Sequence, residues 1–477
     1  MSKQSRLRTD TITPNDNKSF SIGTSLTVDG WYEDLELPAV IGRHKAKGIP
    51  LDPPVRGLLA YELGDNFSVL QAGQWLNRSE VREYYELPNF NVKTLYRAIE
   101  TLGRNRESIV RELQDRVLKL LGCETTDVLM DWTSIVYYGD MNELAKFGYS
   151  RDHRPDKKQV TLGVAQLAPP VNVPIGMTVE PGNINDQEHF RRTYDQVRNV
   201  LKDGSLIVFD KGANDKRNLE SIVLDSNDYL TSKKLNSSDD AVFQTFNANV
   251  WELVNEEDGV YASKRVFPSR ANYYFFSEKL KEEHLASRRR KAERLLQEAR
   301  SIQESLDAGK RLPKRFRIDN PLVNVRYEHQ TKLVGMDEEA ALRFLLDEGV
   351  ASHEGCFVLT SSRDMAAAEA LKIYRSKDAV EKLFHSLKSE IKVRPLRVWS
   401  QDAVYGILLV GFIAQLMISL TRYFVSPVKS VSTKFISNSL QKLTVTFVSS
   451  SNGLRKKIYS NFDSLNRAVL FEFVAET

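Results

Sequence analysis

Strand-like segments between residues 127 and 210 constrain the fold of this chain more than any other feature of its sequence. Four runs rich in β-branched and apolar residues predict strands, at residues 128–138, 159–168, 173–180 and 205–210. A helical stretch from about Asp186 to Leu201 separates the last two runs. Three strands, a helix and a fourth strand predict a mixed α/β fold built on a mixed sheet with flanking helices.

Two aspartates lie in apolar surroundings within these strands. Asp131 lies between Met130 and Trp132 in the first strand, and Asp210 follows the run LIVF at the end of the fourth. A carboxylate in such a setting is unfavourable unless a metal ion or a polar partner compensates its charge. Both are therefore candidate metal ligands, although an aspartate at a strand end more often caps a turn.

A third acid lies in the segment 373–391, IYRSKDAVEKLFHSLKSEI, whose spacing predicts one amphipathic helix. At about 100° per residue, Glu381 would share a narrow stripe with Tyr374, Lys377 and Lys388. Such a stripe would present an acid between two cations and a phenol. The alternative is an ordinary amphipathic helix with a Lys377–Glu381 surface pair.

These residues resemble a signature of the DDE transposases of bacterial and archaeal insertion sequences, in the class that carries Tyr, Arg, Glu and Lys. Here the signature reads Tyr374, Lys377, Glu381 and Lys388, so the spacing is kept while lysine replaces the usual arginine. Further matching segments are GYSRDHRPD (148–156), PGNINDQEHF (181–190), VFDKGAN (208–214) and VRPLRVW (393–399).

The resemblance implies a ribonuclease H-like core and a transposase that cleaves and transfers the DNA of its own insertion sequence. It implies that Asp131, Asp210 and Glu381 form the metal-binding catalytic triad, and that the other three signature residues contact the transposon end. Oxygen ligands and phosphate chemistry indicate two Mg²⁺ ions, with Mn²⁺ as a substitute. The alternatives are a catalytically silent DNA-binding regulator derived from such an element and a ribonuclease H-like nuclease that cuts without joining.

The spacing of the three acids predicts an insertion. Asp131 and Asp210 are 79 positions apart, whereas Asp210 and Glu381 are 171 apart, more than a simple connection requires. We predict a domain order of an N-terminal arm and helical DNA-binding region (1–124), a first segment of the catalytic core (125–212), a β-rich insertion with a basic helix (213–371), a second segment of the catalytic core (372–425) and a basic C-terminal tail as a candidate dimerisation contact (426–477).

Several surfaces are candidates for DNA contacts. Residues 1–60 lack periodicity and predict an irregular arm, and a helix ending at Gly103 carries Lys93 and Arg97 near its start. That helix is either a DNA-recognition helix or a plain bundle helix. Arg394 is a further candidate DNA contact, and the basic segment 285–317 predicts either a DNA-facing strip or a solvated helix face.

A second predicted helix follows and ends at Gly122. We expect the Trp251 side chain to be packed in the core from a strand, rather than to stack on a flipped base. Residues 403–420 are apolar for almost a membrane span but predict a buried core helix, with membrane insertion as the less favoured alternative.

Composition limits the protein class. Two cysteines and 27% charged residues predict a cytoplasmic protein without a disulfide framework, and we expect no membrane partner. The resemblance implies a prokaryotic protein associated with the nucleoid. The net charge of +4 permits a polyanionic partner without requiring one. From the resemblance, we expect that partner to be double-stranded DNA, in the form of terminal inverted repeats and target DNA, bound by a homodimer on paired ends.

Overall fold

The computed structural model of the chain describes residues 17–45, 47–64, 68–139, 141–310, 320–324, 330–333, 336–347, 353–393, 396–449 and 455–474. The chain divides into two compact units. Unit 1 comprises residues 1–229 and 373–477, and unit 2 comprises residues 230–372. Unit 2 thus interrupts unit 1 in the sequence, close to the insertion predicted at 213–371.

Unit 1 begins with β1 (Lys18–Ser21), α1 (Gly23–Asp34), α2 (Leu37–Gly42), α3 (Asp52–Gly64), α4 (Val69–Leu76), α5 (Ser79–Tyr84), α6 (Lys93–Arg104) and α7 (Arg106–Leu121). It continues with β2 (Val128–Val136), β3 (Gln159–Leu167), β4 (Pro174–Pro181), α8 (Asp186–Val197), β5 (Leu206–Phe209), α9 (Lys216–Leu224) and the start of β6 (Asp228–Ser232).

Unit 2 contains α10 (Ser237–Phe243), β7 (Glu252–Asn255), β8 (Val260–Phe267), β9 (Arg270–Ser277), α11 (Glu278–Asp307), β10 (Val323–Asn324), β11 (Gln330–Thr331), α12 (Glu338–Asp347), β12 (Cys356–Ser361) and most of α13 (Ala367–Arg375). The chain then completes unit 1 with α14 (Asp378–His385), a π-helical turn (Ser386–Glu390), α15 (Gln401–Phe424), α16 (Thr433–Lys442), β13 (Thr444–Ser449), β14 (Arg455–Ser460) and α17 (Ser464–Val474).

The sheet of unit 1 has the order β4-β3-β2-β5. β2 pairs with β3, and β3 with β4, in antiparallel register, whereas β5 is parallel to β2. The predicted mixed α/β fold with a mixed, helix-flanked sheet is confirmed. In unit 2 the strands follow the order β6-β12-β9-β8-β7, and β12 is antiparallel to both of its neighbours.

The long apolar helix α15 forms the centre of unit 1. It is long and apolar enough to cross a membrane, and its most apolar stretch is entirely buried, in agreement with the predicted core helix. α6 packs closely against it, since a Cβ atom at Gly103 would lie 1.8 Å from the Asp402 carbonyl oxygen, and one at Gly406 would lie 1.9 Å from that of Ile99. The glycines therefore allow backbone-to-backbone contact.

One predicted helix end was wrong and the next is confirmed. α6 continues through Gly103 to Arg104, because this glycine serves the packing against α15 instead of ending the helix. α7 ends at Leu121, and Gly122 adopts the left-handed conformation with φ of 56°.

The two ends of the chain differ from expectation as well. The expected arm at residues 1–60 is wrong for the described residues from 17 onward, which form β1, α1, α2 and part of α3. The expected C-terminal tail contains α16, β13, β14 and α17, and β13 pairs with β1. α1 contains glycine, threonine and valine, which are weak helix formers, and it packs against α16 and α17. Tertiary burial therefore overrides its local preference.

In unit 2, Trp251 is 7% exposed and packs in a cluster with Phe243, Phe246 and Tyr274. The hypothesis of a packed tryptophan is confirmed. The basic segment 285–317 lies in α11 as far as Asp307, and its residues 311–317 lie outside the described ones. Among the described residues of this segment, Arg288 pairs with Glu354, Arg289 with Glu293 and Arg300 with Glu338.

Glu62 in α3 is a fully buried acid of unit 1. Both of its carboxylate oxygens are buried without a hydrogen-bond partner among the described residues. Burial raises the pKa of this carboxyl well above its usual value of 4.5. As pH rises above 4.5, the Glu62 carboxyl therefore keeps its proton in the folded chain but releases it in the unfolded chain.

We expect the free energy of unfolding to fall as pH rises above 4.5, by up to about 1.4 kcal/mol per pH unit from this group. Glu62→Gln should remove that contribution and be more stable than the wild type at pH 8. Urea titrations at pH 5 and pH 8 measure both effects. Glu107→Gln, at a 79% exposed side chain, is the control and should keep the wild-type slope. Equal slopes for Glu62→Gln and the wild type would contradict the expectation.

Candidate active site

Asp131 and Asp210 face each other across neighbouring parallel strands. β2 and β5 pair at Val128–Ile207 and Leu129–Val208, and continuing this register by two residues aligns Asp131 with Asp210, which directly follows β5. The Asp210 charge acts on the Asp131 carboxyl, so the two side chains lie close together. Adjacent strands lie about 4.8 Å apart. The two acids that the sequence singled out are therefore brought together at the carboxyl end of β5.

Strand alternation separates the two faces of β2 at this point. Trp132 packs against Phe190 of α8, and its indole nitrogen donates a 3.0 Å hydrogen bond to Thr193. Asp131, one residue earlier, belongs to the opposite face of the strand. α14 packs against β2, and Lys377, the residue directly before α14, lies close to both aspartates.

Two signature residues contact Asp210 directly. The Tyr374 hydroxyl donates a 2.9 Å hydrogen bond to Asp210 Oδ1, and Lys377 Nζ lies 3.9 Å from the same oxygen. The Lys377 ammonium also lies 5.4 Å from the centre of the Tyr374 ring. Lys377 is 8% exposed, so its charge is held within the site.

The pKa values of the two aspartates shift in opposite directions. Burial raises the pKa of the Asp131 carboxyl above its usual value of 3.8, and the Lys377 and Arg151 cations oppose this only in part. Burial also acts to raise the pKa of Asp210. There, however, Lys377, the Lys211 amide and the Tyr374 hydroxyl outweigh burial and lower the pKa. The site thus contains one carboxylate whose charged form is disfavoured by burial, Asp131, and one whose charged form is stabilised by its neighbours, Asp210.

The helix that carries the signature differs from the single helix expected for residues 373–391. α13 ends at Arg375, α14 begins at Asp378, and a π-helical turn replaces the α-helix from Ser386 to Glu390. Serine and aspartate at the break compete for backbone hydrogen bonds, and Ser376 Oγ donates to the Ile373 carbonyl oxygen at 2.6 Å. The expected common stripe is therefore divided.

The remaining signature residues consequently have different environments. Glu381 lies on the exposed side of α14. Lys388, in the π-helical turn, is 8% exposed, and its ammonium donates a 2.9 Å hydrogen bond to Asp152 Oδ1. A DNA contact by Lys388 would require this ion pair to open, and that contact stays a prediction.

The other predicted DNA contacts lie elsewhere. Lys93 and Arg97 are exposed on the first turns of α6. Arg394 lies outside the described residues. Lys93 and Arg97 thus belong to a different element from those that carry the aspartate pair.

Sequence reasoning missed Arg151, which follows the strand-leading segment GYS. Its backbone amide donates to Ser134 Oγ at 2.8 Å, and its guanidinium donates to both carboxylate oxygens of Asp186 at 3.1 Å. It lies close enough to Asp131 to lower the pKa of that carboxyl. The matching segment 148–156 was the available signal, although it indicated only a turn.

The side chains of the site have the chemistry that a divalent cation requires only in part. Carboxylate oxygens are the preferred ligands of hard divalent ions. The Asp131 carboxylate, whose charge is disfavoured by burial, lies beside Asp210 and fits such an ion. Within the ranges that the structure describes, however, His, Cys, Asp and Glu side chains form no group of three arranged to hold a metal. The aspartate pair therefore fits a cation, while Glu381 does not join it in this arrangement.

Comparison with known families decides the identity. The model of the family described as "Transposase DDE domain" matches residues 122–417, more than half of the chain. The chain belongs to the transposase DDE domain family. The match contains β2, β5 and α14, and hence Asp131, Asp210 and Glu381.

The other comparisons add less. No curated protein matches the chain. Among solved structures, a piggyBac transposase synaptic complex with hairpin DNA resembles it with a TM-score of 0.41 and 10% identity, over 88% of this chain and 79% of that one.

Membership of the transposase DDE domain family makes this protein an enzyme that cleaves and transfers DNA, and DNA is its partner. DDE transposases generally use divalent metal ions.

Proposed function

We propose that this DDE transposase mobilises its own insertion sequence, in the bacterial and archaeal class with the Tyr, Arg, Glu and Lys signature. The proposal is carried by the proximity of Asp131 in β2 to Asp210, directly after the parallel strand β5, with Tyr374 and Lys377 both on Asp210. Two signature positions thereby meet the two strand acids from a different part of the sequence. Lysine at position 377 offers a point charge where arginine would offer a fork of donors.

In the proposed chemistry, Asp131 and Asp210 would hold the divalent ions of a ribonuclease H-like core, and Glu381, which lies apart from the pair in this arrangement, would complete the ligand set when the ions bind. Two bound magnesium ions would activate the attacking water or 3′-hydroxyl and stabilise the charge on the phosphate and the leaving oxygen. The arrangement of Asp131 supports this role, because burial disfavours its charge and a cation would relieve that cost.

Lys377 has a role of its own in this proposal. Its ammonium lies 3.9 Å from Asp210 and also lowers the pKa of Asp131. It therefore offsets part of the repulsion between the two neighbouring carboxylates. The Tyr374 hydroxyl orients Asp210 by its 2.9 Å hydrogen bond.

We propose that the protein binds the terminal inverted repeats and the target DNA as a homodimer on paired ends, in the cytoplasm of a prokaryotic cell. The exposed Lys93 and Arg97 on α6 support a contact with DNA phosphates. Arg394 and Lys388 are proposed contacts of the same kind. Homodimer formation and cellular location stay predictions.

The test is to incubate the full-length protein with a DNA fragment that carries the repeats flanking its own gene, with Mg²⁺, with Mn²⁺ or with EDTA. Gel analysis resolves nicked, hairpin and joined products. We expect cleavage followed by joining in either metal and none in EDTA. Cutting without joining would instead indicate a nuclease, and binding without cutting would indicate a regulator.

A further inference from the structure

An exposed group of aromatic and apolar side chains lies beyond the end of β2, on residues that the proposed chemistry does not use. Tyr138, Met141, Phe147 and Trp399 expose 44%, 84%, 61% and 80% of their surface, respectively. We call these four residues the aromatic surface. Trp399 ends the sequence motif VRPLRVW, for which the catalytic site gives no role. Large exposed apolar groups of this kind mark interaction sites more often than scattered single residues do.

The backbone beneath the aromatic surface is held in place. Three hydrogen bonds join residues 137–142 to residues 396–399. Tyr138 N donates to the Leu396 oxygen at 3.0 Å, Tyr137 Oη to the Val398 oxygen at 3.0 Å, and Asn142 Nδ2 to the Trp399 oxygen at 3.1 Å. The next residue, Ser400, caps α15 by accepting a hydrogen bond from the Ala403 amide at 3.1 Å. Trp399 is therefore an exposed ring on an anchored backbone, which costs little entropy to order when a ligand binds.

Cations lie among these rings. The Arg397 guanidinium is 5.9 Å from the centre of the Tyr138 ring, and Lys157 Nζ is 5.5 Å from the same centre. Lys146 lies with Met141 and Phe147 on the wall of a shallow hollow of about 270 Å³, which also includes Lys158 and the acid Glu143. The surface thus combines open aromatic faces with positive charge.

We propose that the aromatic surface binds unpaired nucleotides of DNA, with Trp399 stacked on a base and with Arg397 and Lys157 at neighbouring phosphates. Proteins that hold single-stranded DNA combine these two features, because every base has a face for stacking and every nucleotide has a phosphate. A base within a duplex offers no free face to Trp399. A second copy of this chain fits less well, because the cations of two identical surfaces would oppose each other.

This inference rests on the proposed function, since strand cleavage and transfer create the unpaired nucleotides. Seven residues of extended chain separate Asp131 from Tyr138, a span of about 23 Å. The nucleotides at the aromatic surface would therefore lie several positions away from the phosphate that reacts. The surface would hold a strand near the reaction without taking part in it.

Tryptophan fluorescence gives a direct test. All five tryptophans lie among the described residues, and only Trp399 is exposed. In EDTA, which prevents cleavage, titration with an oligo(dT) strand should quench the fluorescence and shield Trp399 from acrylamide. Trp399→Phe should lose both signals. Unchanged fluorescence and acrylamide access at saturating oligo(dT) would overturn the proposal.

Affinity gives the second test. Trp399→Ala should weaken binding of a forked DNA end with unpaired bases by about tenfold or more, and should change binding of the fully paired duplex much less. Trp399→Tyr should restore most of the affinity for the forked end. Leu224→Ala removes another exposed apolar side chain of unit 1, 83% exposed at the end of α9, and is the control with no effect on either DNA.

Two outcomes separate this inference from the proposed function. If Trp399→Ala binds the forked end as the wild type does, the inference fails, while cleavage of the terminal repeats in Mg²⁺ still stands. If Trp399→Ala instead converts a dimer to a monomer in sedimentation experiments without altering the preference for forked over paired DNA, the surface is a contact between copies and the inference is overturned.

Discussion

Asp131→Asn, Asp210→Asn and Glu381→Gln should each reduce DNA cleavage by about 10³-fold or more, which corresponds to about 4 kcal/mol of lost transition-state stabilisation. Each substitution keeps the shape of the side chain and removes the charge that a divalent ion requires. Cleavage of a labelled terminal repeat in Mg²⁺ measures the loss. DNA binding in EDTA should stay close to that of the wild type, because these carboxylates do not attract phosphates.

The free energy of unfolding should change in opposite directions for Asp131→Asn and Asp210→Asn. Ionised Asp131 is disfavoured by burial, so Asp131→Asn should raise the free energy of unfolding at pH 7 in metal-free buffer. Asp210 is favoured in its ionised form by Lys377 and Tyr374, so Asp210→Asn should lower it. A purely structural role would make both variants less stable, and only a role in holding cations explains an inactive but more stable Asp131→Asn protein.

Matched controls exist for each position. Asp127 lies four residues before Asp131, and its Oδ1 accepts a hydrogen bond from the Leu206 amide at 2.7 Å, a bond that asparagine can also accept. Asp378 lies on α14 close to Glu381 and pairs with Lys382. Asp127→Asn and Asp378→Asn should cleave as the wild type does. Near-normal cleavage by Asp131→Asn, Asp210→Asn or Glu381→Gln would reject the proposed triad.

The sheet and its two aspartates could be predicted from the sequence because the information is local. Apolar runs mark β2 to β5, and a charged residue within such a run is visible without knowledge of any distant contact. The proximity of Asp131 to Asp210 then follows from the parallel register of β2 and β5, continued by two residues.

Other features depend on contacts between distant segments of the chain. Gly103 has the sequence pattern of a helix end, and only its contact with the Asp402 carbonyl shows that it serves packing. The break before α14 and the π-helical turn change the direction of Lys388 relative to Glu381, and an ideal period of 100° per residue contains neither. Arg151 reaches the site through Ser134 and Asp186, which no local pattern connects.

The ion pair between Lys388 and Asp152 leads to the second large effect. Their side chains are 9% and 7% exposed, and Lys388 Nζ lies 2.9 Å from Asp152 Oδ1. Lys388→Met leaves the Asp152 carboxylate in the interior without that ammonium, and the loss of one partner of a buried ion pair costs about 3–5 kcal/mol. We therefore expect a large fall in the midpoint of urea unfolding.

A double variant separates stability from DNA binding. Lys388→Met with Asp152→Asn removes both charges and should recover most of the stability lost by Lys388→Met alone. If the double variant regains this stability, its DNA affinity can be compared with that of the wild type over a range of salt concentrations. If Lys388 binds a phosphate of the transposon end, the dependence of log affinity on log salt should become shallower by about one. An unchanged salt dependence would leave Lys388 with its ion pair to Asp152 and no DNA contact, and full stability of Lys388→Met would contradict the buried pair.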